Sequence, residues 1–253
     1  MYFESHAHYD DEKFDSDRFQ LIKEMNENGV DYIINAGVDV KSSLAGINLS
    51  SEFSFFYAAV GVHPHEVESI SENDIQTLKE YSKNEKVVAI GEIGLDYYYE
   101  FSPKELQRKW FIRQLELAKE LDLPVIIHSR DAAQECFDII KNSGVNKGVI
   151  HSYSGSAQMA KDYIDLGFHI GVGGIITFKN ARKLIETVES VPIERILVET
   201  DSPYLSPVPL RGTRNNSQNL KYICDKIAQV KQIEPENVAK ITSENAINLF
   251  VQK

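Results

Sequence analysis

At 253 residues, with 42% hydrophobic and 26% charged content, the chain has an ordinary globular composition and room for one large core. No apolar run approaches the ~18 residues of a membrane span, and the acidic opening MYFESHAHYDDEKFDSD has neither the basic leader nor the apolar core of a signal peptide. The 27 basic and 38 acidic residues (net −11) argue against a broad phosphate-binding surface but allow a nucleic-acid substrate at a local cationic site, and Cys136 and Cys224, without metal-type spacing, are expected reduced in a cytoplasmic setting.

Short apolar runs recur along the chain, each followed by a helical pattern. The first is YFESH (2–6), then DYIINAG (31–37), FYAAVGVH (56–63) and VVAIGEIG (87–94). SPKE (102–105) reads as a capping box, with Ser102 as N-cap, Pro103 at the first helical position and Glu105 reaching back. Behind it Leu106, Trp110, Leu117 and Leu121 form one stripe, widened by Phe111, Leu115 and Ala118. PVIIHS (124–129) comes next, with Asp131 expected to cap AAQECFDIIKN and Gly144 beyond its end. After GVIHSY (148–153), Ser156 is expected to cap AQMAKDYIDL, with Gly167 just after; HIGVGGI (169–175) and ILVETD (196–201) complete the series. Eight strands alternating with helices and no linker predict one α/β domain over 1–253, a (β/α)8 TIM barrel with parallel strands. A doubly wound open sheet is the competing architecture.

In such a barrel, active groups sit at the C-terminal ends of strands. The acids and histidines that interrupt the apolar runs fall there. His6 and His8 end strand 1, His63 strand 3, Glu92 strand 4, His128 strand 5, His151 strand 6 and Asp201 strand 8, so five of the seven histidines converge on one mouth. HAH is the sharpest local signal, because alternate strand residues share a face. A lone HxH is commonly no more than two histidines on a wet strand face. Joined by Glu92, His128, His151 and Asp201, it becomes a six-ligand nitrogen and oxygen set suited to two divalent ions with open positions for water.

The motifs ESHAH, GVHPH, AIGEIGLDYY, PVIIHSRDA, HSYSGS, GVGGIITFKNA, LVETDSPYLSP and the terminal TSENAINLF run in one order over nearly the whole chain. In these the chain resembles the TatD-type metal-dependent deoxyribonucleases, within the amidohydrolase-like barrels. The resemblance implies that His6, His8 and Asp201 hold one ion, that His128 and His151 hold a second, and that Glu92 bridges both. It also implies His63 and Arg130 near the substrate phosphate. Related phosphotriesterase-like barrels bridge their ions with a modified lysine, and no lysine stands at these strand ends. Two departures stand out. Ser152 and Tyr153 replace Cys and Phe of the family's HCFSGS, and in RGTRNNS (211–217) Asn216 occupies the place of a family glutamate.

The implied activity is hydrolysis of phosphodiester bonds by a water activated between two divalent ions (Mg, Mn or Zn), releasing nucleotides from single-stranded DNA ends as a 3′-5′ exonuclease. Asp201, Glu92 and His63 would be catalytic, and Arg130 and His63 would bind substrate. Neither a membrane nor an obligatory protein partner is implied. The same activated water could attack an ester or amide, such as misacylated tRNA, and a silent metal-binding module is a third possibility. Tyr97, Tyr98 and Tyr99 could stack bases, although packing over the barrel rim is the commoner fate of such tyrosines. GVGG (171–174) reads as close packing rather than a phosphate loop, Arg211 and Arg214 as phosphate grips or plain loop charges, and His169 as structural. The direction of His65 is left open. A Ser152 or Ser154 nucleophile is disfavoured, because a His151 committed to metal cannot serve as its base.

Overall fold

A computed structural model describes residues 1–252. Eight strands, β1 (Tyr2–Ala7), β2 (Val30–Ala36), β3 (Phe56–Val60), β4 (Val87–Asp96), β5 (Val125–Arg130), β6 (Gly148–Ile150), β7 (His169–Val172) and β8 (Ile196–Val198), pair in parallel in sequence order. Helices follow them: α1 (Arg18–Glu27), α2 (Val40–Glu52), α3 (Glu72–Tyr81), α4 (Lys104–Leu121), α5 (Ala133–Ser143), α6 (Ala157–Asp165), α7 (Arg182–Ser190), α8 (Leu220–Lys231) and α9 (Pro235–Ala246). This is the expected (β/α)8 barrel and excludes the open doubly wound sheet. The seam between β8 and β1 closes through a parallel bridge, Ala7 to Ser202, and through Asp201 N–H donating to the His6 carbonyl at 3.0 Å. No described helix is long and apolar enough to cross a membrane.

The interior is built in two tiers. Phe3, Ile34, Ala59, Ala89, Ile126, Val149 and Leu197 pack across the barrel and are closed off by Ala246 and Phe250. On β5 and on the β6 run, His128 and His151 stand two residues beyond Ile126 and Val149, so the same face turns from apolar to polar. On β1 and β4 the interval is three, Phe3 to His6 and Ala89 to Glu92. The register shows why: Glu4 and Ala7 oppose Ile33 and Asn35, and Ile90 and Ile93 oppose Val125 and Ile127. One extra residue in each strand restores the phase and turns His6 and Glu92 inward. Glu92 therefore does not end its strand as expected. β4 continues to Asp96.

Two expected helix caps are absent. The Ser102 hydroxyl donates to the His65 carbonyl at 2.8 Å, Pro103 stands at the N-cap position, and no capping box forms; the serine side chain is turned to a tertiary partner instead of accepting a first-turn N–H. Asp131 adopts a left-handed backbone, and Ala132 precedes α5 without a side-chain cap. Ser156 does cap α6, accepting from Met159 N–H, and Gly144 ends α5 in the left-handed conformation.

Candidate metal centre

His8 donates Nδ1–H to the Ala36 carbonyl at 2.9 Å, which leaves a lone pair on Nε2. That atom lies 3.1 Å from His6 Nε2, 3.8 Å from Glu92 Oε2 and 3.4 Å from Asp201 Oδ1. His6 Nε2 in turn lies 3.3 Å from Glu92 Oε2 and 3.9 Å from Asp201 Oδ1. These separations straddle the edge of about 3.4 Å that a tetrahedral shell with ~2.1 Å bonds requires. The other oxygen of Glu92 faces a second group. His128 Nδ1 is 2.8 Å from Oε1, His63 Nε2 3.8 Å and His151 Nε2 3.9 Å. The two carboxylate oxygens thus divide between two sets of histidines, and this donor set fits divalent cations.

The electrostatics point the same way. Burial disfavours charge on Glu92, but His6, His151 and His63 around it hold its carboxyl well below the usual range. Burial likewise opposes charge on His8, yet Asp201 and Glu92 push its imidazole up to about 9. For His151, Glu199, Glu92 and Asp201 override burial and raise it to about 10. Three carboxylates demanding positive charge from imidazoles in a buried pocket are equally served by a metal ion.

The expected ligands His6, His8, Glu92, His128, His151 and Asp201 all converge here. The tightest groups are His6, His8 and Glu92; His63, Glu92 and His128; and His6, His151 and Glu199. His63 Nδ1 accepts from the His65 N–H at 3.2 Å, so a neutral His63 carries its proton on Nε2, aimed at Glu92.

Two residues escaped the sequence reading. Asp96, buried at the end of β4, places Oδ2 3.0 Å from His128 Nε2 and 2.9 Å from His65 Nε2, so His65 points toward the site. Gln107 of α4 clamps the Asp96 backbone, accepting its N–H and donating to its carbonyl. Glu199, fully buried, sets Oε1 3.0 Å from His151 Nδ1 as a charge contact and accepts the Ser152 N–H at 2.6 Å. A Cβ on Gly171 would lie 2.6 Å from Glu199 Oε2, so this glycine is what lets Glu199 reach across β7. The signal was there, a glycine inside an apolar strand, but its partner was not visible in sequence.

The remaining candidates separate. Arg130 Cζ lies over the rings of Tyr98 and Tyr99 at 4.1 and 4.7 Å. Arg214 is paired with Asp17 and donates to the Lys13 carbonyl, and Arg211 lies over Phe178, so both have internal partners. Asn216, in the family's glutamate position, accepts from Gln218 N–H and caps the short helix Ser217–Asn219. His169 opens β7 with its imidazole pushed down to about 4 by burial and Arg195.

A family profile described as TatD related DNase matches residues 3–251. An uncharacterized metal-dependent hydrolase of Bacillus subtilis (strain 168), YabD, is 41% identical over 252 residues, 99% of each chain. The 3′-5′ ssDNA/RNA exonuclease TatD of Rahnella sp. (strain Y9602) is 32% identical over 246 residues, 94% of each. The crystal structure of YjjV, a TatD homologue from Escherichia coli K12, superposes with a TM-score of 0.93 at 30% identity, covering 100% of this chain and 98% of that one. With a profile match from end to end, relatives of this identity and a barrel of the same build, the chain belongs to the TatD-related DNase family.

Proposed function

We propose that this chain, acting as a single domain, is a metal-dependent hydrolase that releases nucleotides from single-stranded DNA ends in the 3′-5′ direction. The observation that carries the reading is the division of Glu92 between two histidine groups, with Oε2 toward His6 and His8 and Oε1 toward His128, His63 and His151. His6, His8 and Asp201 would hold one divalent ion (Mg, Mn or Zn), His128 and His151 a second, and Glu92 would touch both. When bound, such ions lower the pKa of water from 15.7 to about 7 and draw in phosphoryl oxygens. Asp201, kept ionised against burial by His8 and His151, takes the proton of the attacking water on its carboxylate. His63 would donate from Nε2 to the developing charge, and Arg130, at the end of β5 beside Tyr98 and Tyr99, would bind the phosphate. The exonuclease name of the Rahnella relative supports the substrate class. The two free, buried cysteines accord with a cytoplasmic setting.

The test offers metal-loaded protein 3′-labelled single-stranded DNA, duplex DNA and an aminoacyl ester side by side, with chelator controls. Nucleotide release from the single strand is expected. Glu92→Ala is expected to fold, by circular dichroism, and to lose that release by more than about 100-fold. Retained turnover in the folded variant overturns the assignment of Glu92, and ester turnover without nucleotide release overturns the nuclease reading.

A further inference from the structure

Beside the metal centre lies a cluster of rings that packing does not account for. Tyr97 is half-buried and its hydroxyl donates to Glu135, as a rim residue would. Its neighbours differ. Tyr98, Tyr99 and Phe101 are 57%, 48% and 63% exposed. Tyr99 and Phe101 stack at 5.3 Å and 5°, and Tyr98 stands edge-on to Tyr99 at 4.8 Å. The Arg130 guanidinium lies over both tyrosines, and His65 sits edge-on to Phe101.

The loop is held by other means. Asp96 Oδ1 accepts the N–H groups of Tyr98 and Tyr99, each at 3.0 Å, and Tyr97 N–H donates to the Arg130 carbonyl. The exposed rings are thus presented rather than buried. Asp96 also ties them to the reacting centre, because its Oδ2 contacts His128, which contacts Glu92. Flat rings beside one guanidinium, at the C-terminal ends of β4 and β5, suit ligands that are flat, unpaired and attached to an anionic backbone.

We propose that Tyr98 and Phe101, braced by Tyr99 packed against both, form a stacking platform for the unpaired nucleobases next to the phosphodiester held at the metal centre. This rests on the nuclease reading above and names the part of the substrate that reading leaves unassigned. Bases in a duplex are already stacked on one another and cannot use the platform without unpairing, so it selects frayed or single-stranded ends.

The test compares two single strands on the metal-loaded wild-type protein, one with ordinary bases and one with abasic sugars over the last three 3′ nucleotides. KM is expected to be at least about five-fold higher for the abasic strand. A 3′-terminal 2-aminopurine is expected to lose fluorescence on binding. In a Tyr98→Leu/Phe101→Leu variant the ratio of the two KM values is expected to fall toward one. Cleavage of both strands by the wild type with equal KM overturns the platform and leaves the nuclease reading standing. Release of nucleotide from neither strand overturns the nuclease reading and the platform with it. Because the wild-type comparison decides between these outcomes, a variant that folds poorly does not blunt the test.

Discussion

An ionised carboxylate as deeply buried as Glu92 persists only among compensating positive charge, and no lysine or arginine lies within ion-pairing distance of it among the described residues. Its partners are imidazoles, so the acid inside the apolar run VVAIGEIG stands within a donor set that fits divalent cations. Glu199 and Asp96 were harder to read. Each follows an apolar run and resembles an ordinary strand-terminal acid, and what separates them from solvent-facing acids is a partner on another strand. Glu199 acts on His151 from the side away from the site, favouring the proton on Nδ1 and leaving Nε2 to face Glu92. Glu199→Gln keeps the shape and removes the charge. It is expected to weaken divalent-metal affinity by about 10- to 100-fold, by calorimetric titration, with circular dichroism unchanged. Unaltered affinity would show that Glu199 serves packing alone.

At the level of elements, strand existence was legible from the apolar runs and strand phase was not. Periodicity places Phe3 and His6, or Ala89 and Glu92, on opposite faces. One extra residue in β1 and in β4 reverses that, and such insertions depend on the neighbouring strand rather than on composition. The helix caps behaved similarly: Ser156 bonds locally as expected, whereas the Ser102 hydroxyl donates to the His65 carbonyl in the loop after the neighbouring strand β3. Beyond the irregularity in β4, Gly94 adopts φ +147°, and a Cβ there would fall 1.9 Å from the His128 carbonyl oxygen. Gly94→Ala is therefore expected to destabilise the fold by at least about 2–3 kcal/mol, read from the denaturant midpoint. A midpoint equal to wild type would contradict the close pairing of β4 with β5.

For the molecule as a whole, the barrel gathers buried carboxylates and imidazoles into one mouth, a donor set that a divalent cation engages as the imidazoles give up their protons. A divalent ion that binds only the folded state adds stability by mass action, about 4 kcal/mol at a thousand-fold excess over Kd. Chelator is accordingly expected to lower Tm by several degrees and added Zn or Mn to restore it, by differential scanning fluorimetry. A Tm indifferent to both would speak against any metal at this centre. The residues that could be ligands, and the alternation that makes a barrel, were present in the chain alone, because burying an ionisable group is costly enough to mark it wherever it interrupts an apolar strand. Which of those residues face one another was decided only when β8 closed on β1, the two extra residues turned His6 and Glu92 inward, and Gly171 let Glu199 reach His151. Those are distances between segments far apart in sequence, and no local pattern encodes them.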